Sequence, residues 1–389
     1  MALRYRLNPL VRDVEAPPIA EAQKWAAQAR GAVLDAAQAV PSYPPPAELR
    51  RHLAAAMERD EPHFYTDIFG IPELRRALAE HMSDFYGGHI DAEQVGITAG
   101  CNQAFCLAVS SVAGPGDEVV LPVPYYFNHQ MWLDMQGIRA RHLPCGAGQI
   151  PDPEAAAGLI NARTRALVLV SPNNPTGAVY PAGVIDAFRD LARDRGIALI
   201  LDETYKDFLP DTVPPHELFR DPDWPDSFVQ LYSFSKAYSL TGHRVGSLIG
   251  SPELLDAVAR AADCVTICPP HPAQIAALYG LRHLAAWREE NRRLMADRLT
   301  SLKAAFKDDG LRYELVSAGA YFAYVRHPFQ GASAVSVARQ LARHGVLCLP
   351  GSAFGPGQED SLRMAFANLE SGQMPELVRR LRASQEAAL

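Results

Sequence analysis

The chain alternates short apolar runs with amphipathic stretches, and the alternation changes character twice. Residues 20–60 read as helical except at residues 40–46 (VPSYPPP), where Pro41, Pro44, Pro45 and Pro46 force an extended crossing. Residues 72–86 (PELRRALAEHMSDFY) repeat apolar side chains at helical spacing, with Pro72 suited to the first turn. Strand-like runs then follow at 95–99 (VGITA), 117–124 (DEVVLPVP), 165–172 (RALVLVSP), 197–203 (IALILDE), 227–235 (SFVQLYSFS) and 244–251 (RVGSLIGS). Between them lie helical patterns at 101–112 and 181–196, the second closed by Gly196 as a C-cap. Strands nearly continuous in Val, Ile and Leu, separated by helices, imply a mostly parallel sheet covered on both faces. After that the pattern predicts a long helix over 272–308, short strands in YELV, AYFAYV, GVLCLP and SLRMAF, and a closing helix over 374–387. The fold class expected is α/β, a large domain around a mostly parallel central sheet with helices on both faces, plus a smaller α+β domain.

Composition narrows the function classes more than the fold. The 389 residues suggest two domains, and 48% apolar with 21% charged residues allow a sizeable core. With 37 Lys and Arg against 44 Asp and Glu, the net charge of −7 offers no footprint for nucleic acid or for an anionic membrane. The start carries Arg4, Arg6 and Arg12 with no apolar run behind them, so no secretory leader is expected. No apolar run approaches the roughly 20 residues a membrane span needs. Six cysteines (101, 106, 145, 264, 268 and 348) form no CxxC pair. Reduced thiols and a cytoplasmic location are expected, with neither a disulfide framework nor a metal site.

Candidate chemistry gathers at strand ends, where open α/β sheets bind ligands. SPNNPTG follows ALVLV, Asp202 ends IALIL, SFSK follows FVQLY, and AGCNQ follows GIT. Lys236 is either a solvated lysine or, in a segment low in charge, a nucleophile with a lowered pKa. Asp202, after five apolar residues, is either a structural hydrogen-bond acceptor or the charge partner of a cationic ring nitrogen. Asn174 sits in turn chemistry that needs no further role. Gly100, Cys101 and Asn102 open a helix whose free N–H groups would suit a phosphate. Arg244, eight residues after Lys236, suits the same anion.

In order along the chain, YTDIFG, AGCNQA, PVPYY, SPNNPTG, LDETY, SFSKAYSLTGHRVG, LPGSAFG and LRMAF resemble the motifs of the fold-type I, class I/II pyridoxal-phosphate aminotransferases. The resemblance covers nearly the whole chain. It implies a large cofactor-binding domain over residues 47–283, and a small domain made of 1–46 and 284–389. It implies pyridoxal 5′-phosphate as cofactor, with Lys236 as the Schiff-base lysine that also shuttles a proton. Asp202 resembles the partner of the pyridine nitrogen; Tyr205 and Asn174 resemble the donors to the phenolic oxygen. Ser233, Ser235, Arg244 and the amides of Gly100, Cys101 and Asn102 resemble the phosphate cup. Tyr126 stands where an aromatic stacks on the ring, with Tyr125 as the alternative. Tyr65 resembles the residue that crosses to the partner's phosphate, which implies a homodimer. Arg363 resembles the fork for the substrate α-carboxylate. Two departures are visible. Ala39, between Gln38 and Val40 in the substrate loop, replaces a usual glycine, and His243 precedes Arg244 where leucine is usual.

The implied reaction moves an amino group from an amino acid to a 2-oxo acid by a ping-pong mechanism through pyridoxamine phosphate. The same apparatus serves β-lyases acting on cysteine conjugates, the alternative from a second class. A non-catalytic pyridoxal-phosphate-binding protein is a third, disfavoured because Lys236 is retained. No motif announces a second arginine for a dicarboxylate. Tyr43, Tyr321 and Phe322 are expected to line the pocket and favour a neutral or aromatic amino acid.

Overall fold

The computed structural model describes residues 5–386, apart from 28, 30, 211 and 212. Arg4 and the final residue of the closing helix, as read from sequence, lie outside that set. The first strand, β1 (Leu34–Asp35), is two residues long. The central sheet is built from β2 (Val95–Thr98), β3 (Glu118–Val123), β4 (Arg139–Pro144), β5 (Thr164–Val170), β6 (Ala198–Asp202), β7 (Phe228–Ser233) and β8 (Gly246–Ile249). Their spatial order is β2-β8-β7-β6-β5-β3-β4. β4, β3, β5, β6 and β7 run parallel, and β8 alone runs against its neighbours β7 and β2.

Period-2 alternation sends successive side chains to opposite faces. Leu199 and Leu201 join the core with the helices Pro72–Tyr86, Ala182–Arg195 and His271–His283. Ile200, between them, joins the core on the other face with Phe105, Leu133 and Val258 from the helices Cys101–Val112, Phe127–Met135 and Pro252–Val265. Each such leucine or isoleucine, fully buried, contributes about 1.5–3 kcal/mol. Truncating one to alanine costs roughly 2–5 kcal/mol.

A second, antiparallel sheet follows: β9 (Glu314–Gly319), β10 (Phe322–Arg326), β12 (Leu349–Pro350) and β13 (Ser361–Met364), in the order β12-β13-β10-β9. β11 (Val346–Leu347) pairs in parallel with β1. A third core joins Ala22, Trp25 and Leu34 from the chain start to Leu341, Leu362, Leu377 and Leu381.

Two expectations change, and one strand is added. Residues 31–39, expected as helix, are not helical: the helix Pro18–Ala26 stops, and Leu34–Asp35 is drawn into a strand by its partner 312 positions later, since Leu34 pairs with Val346. The helix expected over 272–308 is two, His271–His283 and Ala285–Ala305. Leu284 leaves the helical region (φ −109°, ψ 24°) to bury its side chain in the main core. The edge strand β4, RARHLP, was not read from sequence because it is too charged and too exposed to show strand alternation. A charged edge of that kind discourages pairing with another chain. Among the described residues, no helix is long and apolar enough to cross a membrane.

Candidate active site

The carboxyl ends of β5, β6 and β7 point the same way, and a cavity of about 280 Å³ opens there. Asp202 is the last residue of β6, Ser233 the last of β7, and Asn174 follows β5 by four positions. Parallel pairing in register, with Val170 opposite Asp202, is what places these ends side by side.

One end of the cavity is built for an anion. The helix Cys101–Val112 starts at Gly100 (φ 87°), and no side chain caps its first turn. Uncapped N–H groups at a helix start need an outside acceptor. A Cβ at Gly246 would lie 2.7 Å from the Cys101 nitrogen and 2.8 Å from the Tyr232 oxygen. Glycine there lets β8 close against the helix start. Arg244 holds a left-handed backbone (φ 57°), uncommon outside glycine. Its Nη1 donates to the Thr241 carbonyl at 3.1 Å. Ser233 Oγ accepts from the Ser235 N–H at 3.2 Å, so both serines are held at the same end.

Asp202 lies deep in the cavity, only 5% exposed. His129 Nε2 stands 3.6 Å from its Oδ2, and the Thr204 N–H donates to Oδ1 at 2.9 Å. The Cys101 thiol lies 3.6 Å from Oδ1. Burial alone would raise the carboxyl pKa, but hydrogen bonding and charge from His129, with Thr204, outweigh it and hold the group below the usual carboxylate range. Asp202 is therefore a buried anion. His129 is kept in place by the Phe105 ring, stacked at 3.8 Å, and by the edge of Tyr126. Sequence reasoning missed His129. The only signal was its place one turn after Tyr126 on the helix Phe127–Met135.

Lys236 Nζ donates to the Ala39 carbonyl. Burial, and then the charges of Arg363 and Arg244, push its pKa down from 10.5 to about 7. Near neutral pH a large share of this amine is therefore unprotonated and nucleophilic. Arg363 is also buried, between the rings of Phe322 and Phe354, each 5.1 Å away. It donates to Asn174 Oδ1 at 3.1 Å and to the Ala37 carbonyl. Burial lowers its pKa to about 10, and its Nε has no partner. A buried cation with a donor left open is ready for an anionic ligand.

Of the residues read from sequence, Ala39, Val40, Cys101, Asn102, Tyr126, Asn174, Asp202, Tyr205, Ser233, Ser235, Lys236, Arg244 and Arg363 all line this one cavity. Gly100 heads the helix beside it. Tyr126 donates its hydroxyl to Asn102 at 3.3 Å, whereas Tyr125 lines a separate cleft against His142. Tyr65 is 77% exposed and outside the cavity. His243 does not line it either. Tyr43, Tyr321 and Phe322, expected as pocket walls, pack behind it with Tyr205 and Phe208. The apolar walls are Ile19, Val40, Phe127 and Val170 instead.

A cavity with one buried anion at its floor, a lowered-pKa amine and two arginines suits a small ligand bearing phosphate and carboxylate groups. Comparison with known proteins gives the same reading. The chain is 34% identical over 326 residues to the arginine–pyruvate transaminase of Pseudomonas aeruginosa, covering 82% of this chain and 81% of that protein. It is 32% identical over 333 residues to an aromatic aminotransferase of Arabidopsis thaliana, covering 82% and 81%. Its fold superposes on Thermus thermophilus aspartate aminotransferase with maleate at a TM-score of 0.90, with 26% identity over 98% of this chain and 100% of that one. The profile of the family Aminotransferase class I and II matches residues 32–381. The chain thus belongs to the class I and II aminotransferases, enzymes of fold type I that depend on pyridoxal phosphate and exchange amino groups by a ping-pong mechanism.

Proposed function

We propose that this cavity holds pyridoxal 5′-phosphate on Lys236, and that the enzyme takes its amino group from a neutral or aromatic amino acid. The observation that carries the proposal is convergence. Lys236, Asp202 and Arg363 meet in one cavity of about 280 Å³ although they lie far apart in sequence. The residues present fit the cofactor. The uncapped helix start at Gly100, closed by Gly246, forms a cradle for a phosphate with Ser233, Ser235 and Arg244. At the other end, the Asp202 carboxylate suits a protonated ring nitrogen.

When bound, the cofactor supplies an electron sink for the pair left behind as the Cα proton departs. Asp202, with His129 beside it, would hold the proton on the ring nitrogen. Lys236 Nζ takes the proton from Cα. Tyr205 and Asn174 would hold the phenolic oxygen, and Tyr126 would pack on the ring face. Arg363 forks onto the α-carboxylate and so points Cα at Lys236.

The cores support a division at residues 47–283 against 1–46 with 284–389, since residues from Leu49 to Ala277 pack around the central sheet and Ala22 to Ala37 pack with the C-terminal part, while Leu284 at the boundary packs into the first core. The apolar face made by Phe64 (68% exposed), Tyr65, Val265 (69%) and Ile267 (42%) supports a homodimer. The Thr66 N–H to Cys268 Sγ contact at 3.4 Å brings its two segments together. Tyr65 would then reach the partner's phosphate. Support for a neutral side chain comes from Ile19, Val40 and Phe127 in the wall, and from the aromatic substrate named for the Arabidopsis relative.

Single amino acids added to the cofactor-loaded enzyme, without an oxo acid, test the reaction and the donor together. A visible band converted to the pyridoxamine form, with one oxo acid per site, is the expected result. A persistent band with ammonia and pyruvate released would make the protein a β-lyase. Aspartate as clearly the best donor would overturn the side-chain preference.

Arg363→Ala is expected to weaken binding of a 2-methyl amino acid, which has no α-proton to lose, by roughly 2–5 kcal/mol. Unchanged affinity, read by spectral titration, would place the carboxylate site elsewhere.

A further inference from the structure

The backbone between β1 and the proline-rich crossing does not join a sheet. Ala36 still pairs with the backbone of Leu347 and Ala365, and beyond it the polar groups are taken largely by side chains, beginning with Asp35, whose carboxylate accepts from the Ala37 N–H at 2.9 Å. Arg363 donates to the Ala37 carbonyl, Asn368 Nδ2 to the Gln38 carbonyl, and Lys236 Nζ to the Ala39 carbonyl. The Val40 N–H is shared between Asn368 Oδ1 and the Gln38 carbonyl, each at 3.2 Å. Asn368 thus grips the two peptide groups that flank Ala39. It stands five residues after Arg363, in the turn Phe366–Asn368.

A trans peptide is planar, and its N–H and C=O point in opposite directions. Fixing the Val40 N–H on Asn368 therefore aims the Ala39 carbonyl, in the same peptide, the other way. Lys236 lies on that side. The prolines that follow leave few N–H groups to anchor this segment; Asp35 and Arg363 hold it up to Gln38, and Asn368 is the side chain that holds the peptides on either side of Ala39.

We propose that Asn368 is a positioning residue for Lys236: by clamping both peptides around Ala39 it presents the Ala39 carbonyl to the amine and so sets where the amine waits and how readily it gives up its proton. The proposal rests on the reading of Lys236 as the amine that takes the cofactor.

A carbonyl that accepts from an amine favours the charged ammonium. Loss of the clamp removes that acceptor and lowers the pKa of Lys236 further below its value of about 7. The readout is the rate at which apoprotein captures pyridoxal phosphate, followed by absorbance across neutral pH. That rate rises with pH as the amine deprotonates. In Asn368→Ala the midpoint is expected to fall by about one pH unit, the size of one hydrogen bond to a charged group. A purely structural role would lower thermal stability and leave this midpoint where it is.

Asn368→Asp loses the donor to the Gln38 carbonyl but keeps the acceptor for the Val40 N–H, which aims the Ala39 carbonyl, and adds a negative charge, so its midpoint is expected to rise. This variant also serves if the alanine variant does not fold. An unchanged midpoint in folded Asn368→Ala, or an unchanged or lowered one in Asn368→Asp, would overturn the proposal while leaving the cofactor site intact. A wild-type apoprotein that forms no band, or a Lys236→Ala variant that forms the same band, would instead overturn the cofactor reading.

Discussion

Lys236→Ala is expected to lose transaminase turnover by about 10⁴-fold, because no other amine among the residues lining the cavity can take its place. The cavity's other cations are Arg244 and Arg363, and both are guanidinium groups that keep their protons. The fold of the variant should not suffer. Lys236 has a depressed pKa, near 7 against an ordinary 10.5, so in the apoprotein the buried amine works against folding. Between those two values the unfolded chain binds more protons than the folded one, and stability contributed at this site rises with pH. Removing the amine is therefore expected to raise the apoprotein's melting temperature below pH 7, with the gain shrinking as pH climbs toward 10.5. Measured turnover, and melting curves at two pH values, check both halves. Normal turnover would sink the assignment of Lys236. A large loss of stability at low pH would show that the amine is favourably solvated.

Asp202→Ala is expected to keep the cofactor bound, since the phosphate cradle is untouched, and to slow loss of the Cα proton by about 10³-fold or more. Without the carboxylate nothing holds the proton on the ring nitrogen. His129 and the Thr204 N–H, which now share this carboxylate, would both lose an acceptor inside the protein. Asp202→Asn separates the two effects, because it keeps the shape and removes the charge. Single-turnover conversion of one amino acid is the measurement; an unchanged rate in both variants would remove Asp202 from its role. The lowered pKa also has a consequence for acid stability. Its favourable contribution is complete above the unfolded carboxyl pKa and is lost as pH falls through the folded one. In Asp202→Asn that part of the acid sensitivity should disappear.

Much of this protein is written in local pattern. The helix Pro72–Tyr86, with Pro at its start and left-handed Gly87 (φ 64°) at its end, needs only its own residues to be recognised. The same holds for Ala182–Arg195 with Gly196 (φ 61°), and for the apolar strands β5, β6 and β7. Apolar period and turn chemistry depend on neighbours within a few positions, so a sequence displays them directly. The polar residues at the strand ends were legible for the same reason, and their family resemblance gave each a role.

What the sequence did not display depends on partners far away. Leu34–Asp35 became a strand because β11 lay beside it, and Leu284 broke a helix because the core took its side chain. Tyr43, Tyr321 and Phe322 look like pocket residues in the chain, yet packing turned them behind the wall. His129 reaches Asp202, and Asn368 reaches the backbone at Gln38 and Val40, only through the packing of elements far apart in the chain. Those contacts, and the low pKa of Lys236, come from burial and distance, which are properties of the assembled tertiary structure and of no stretch of residues within it.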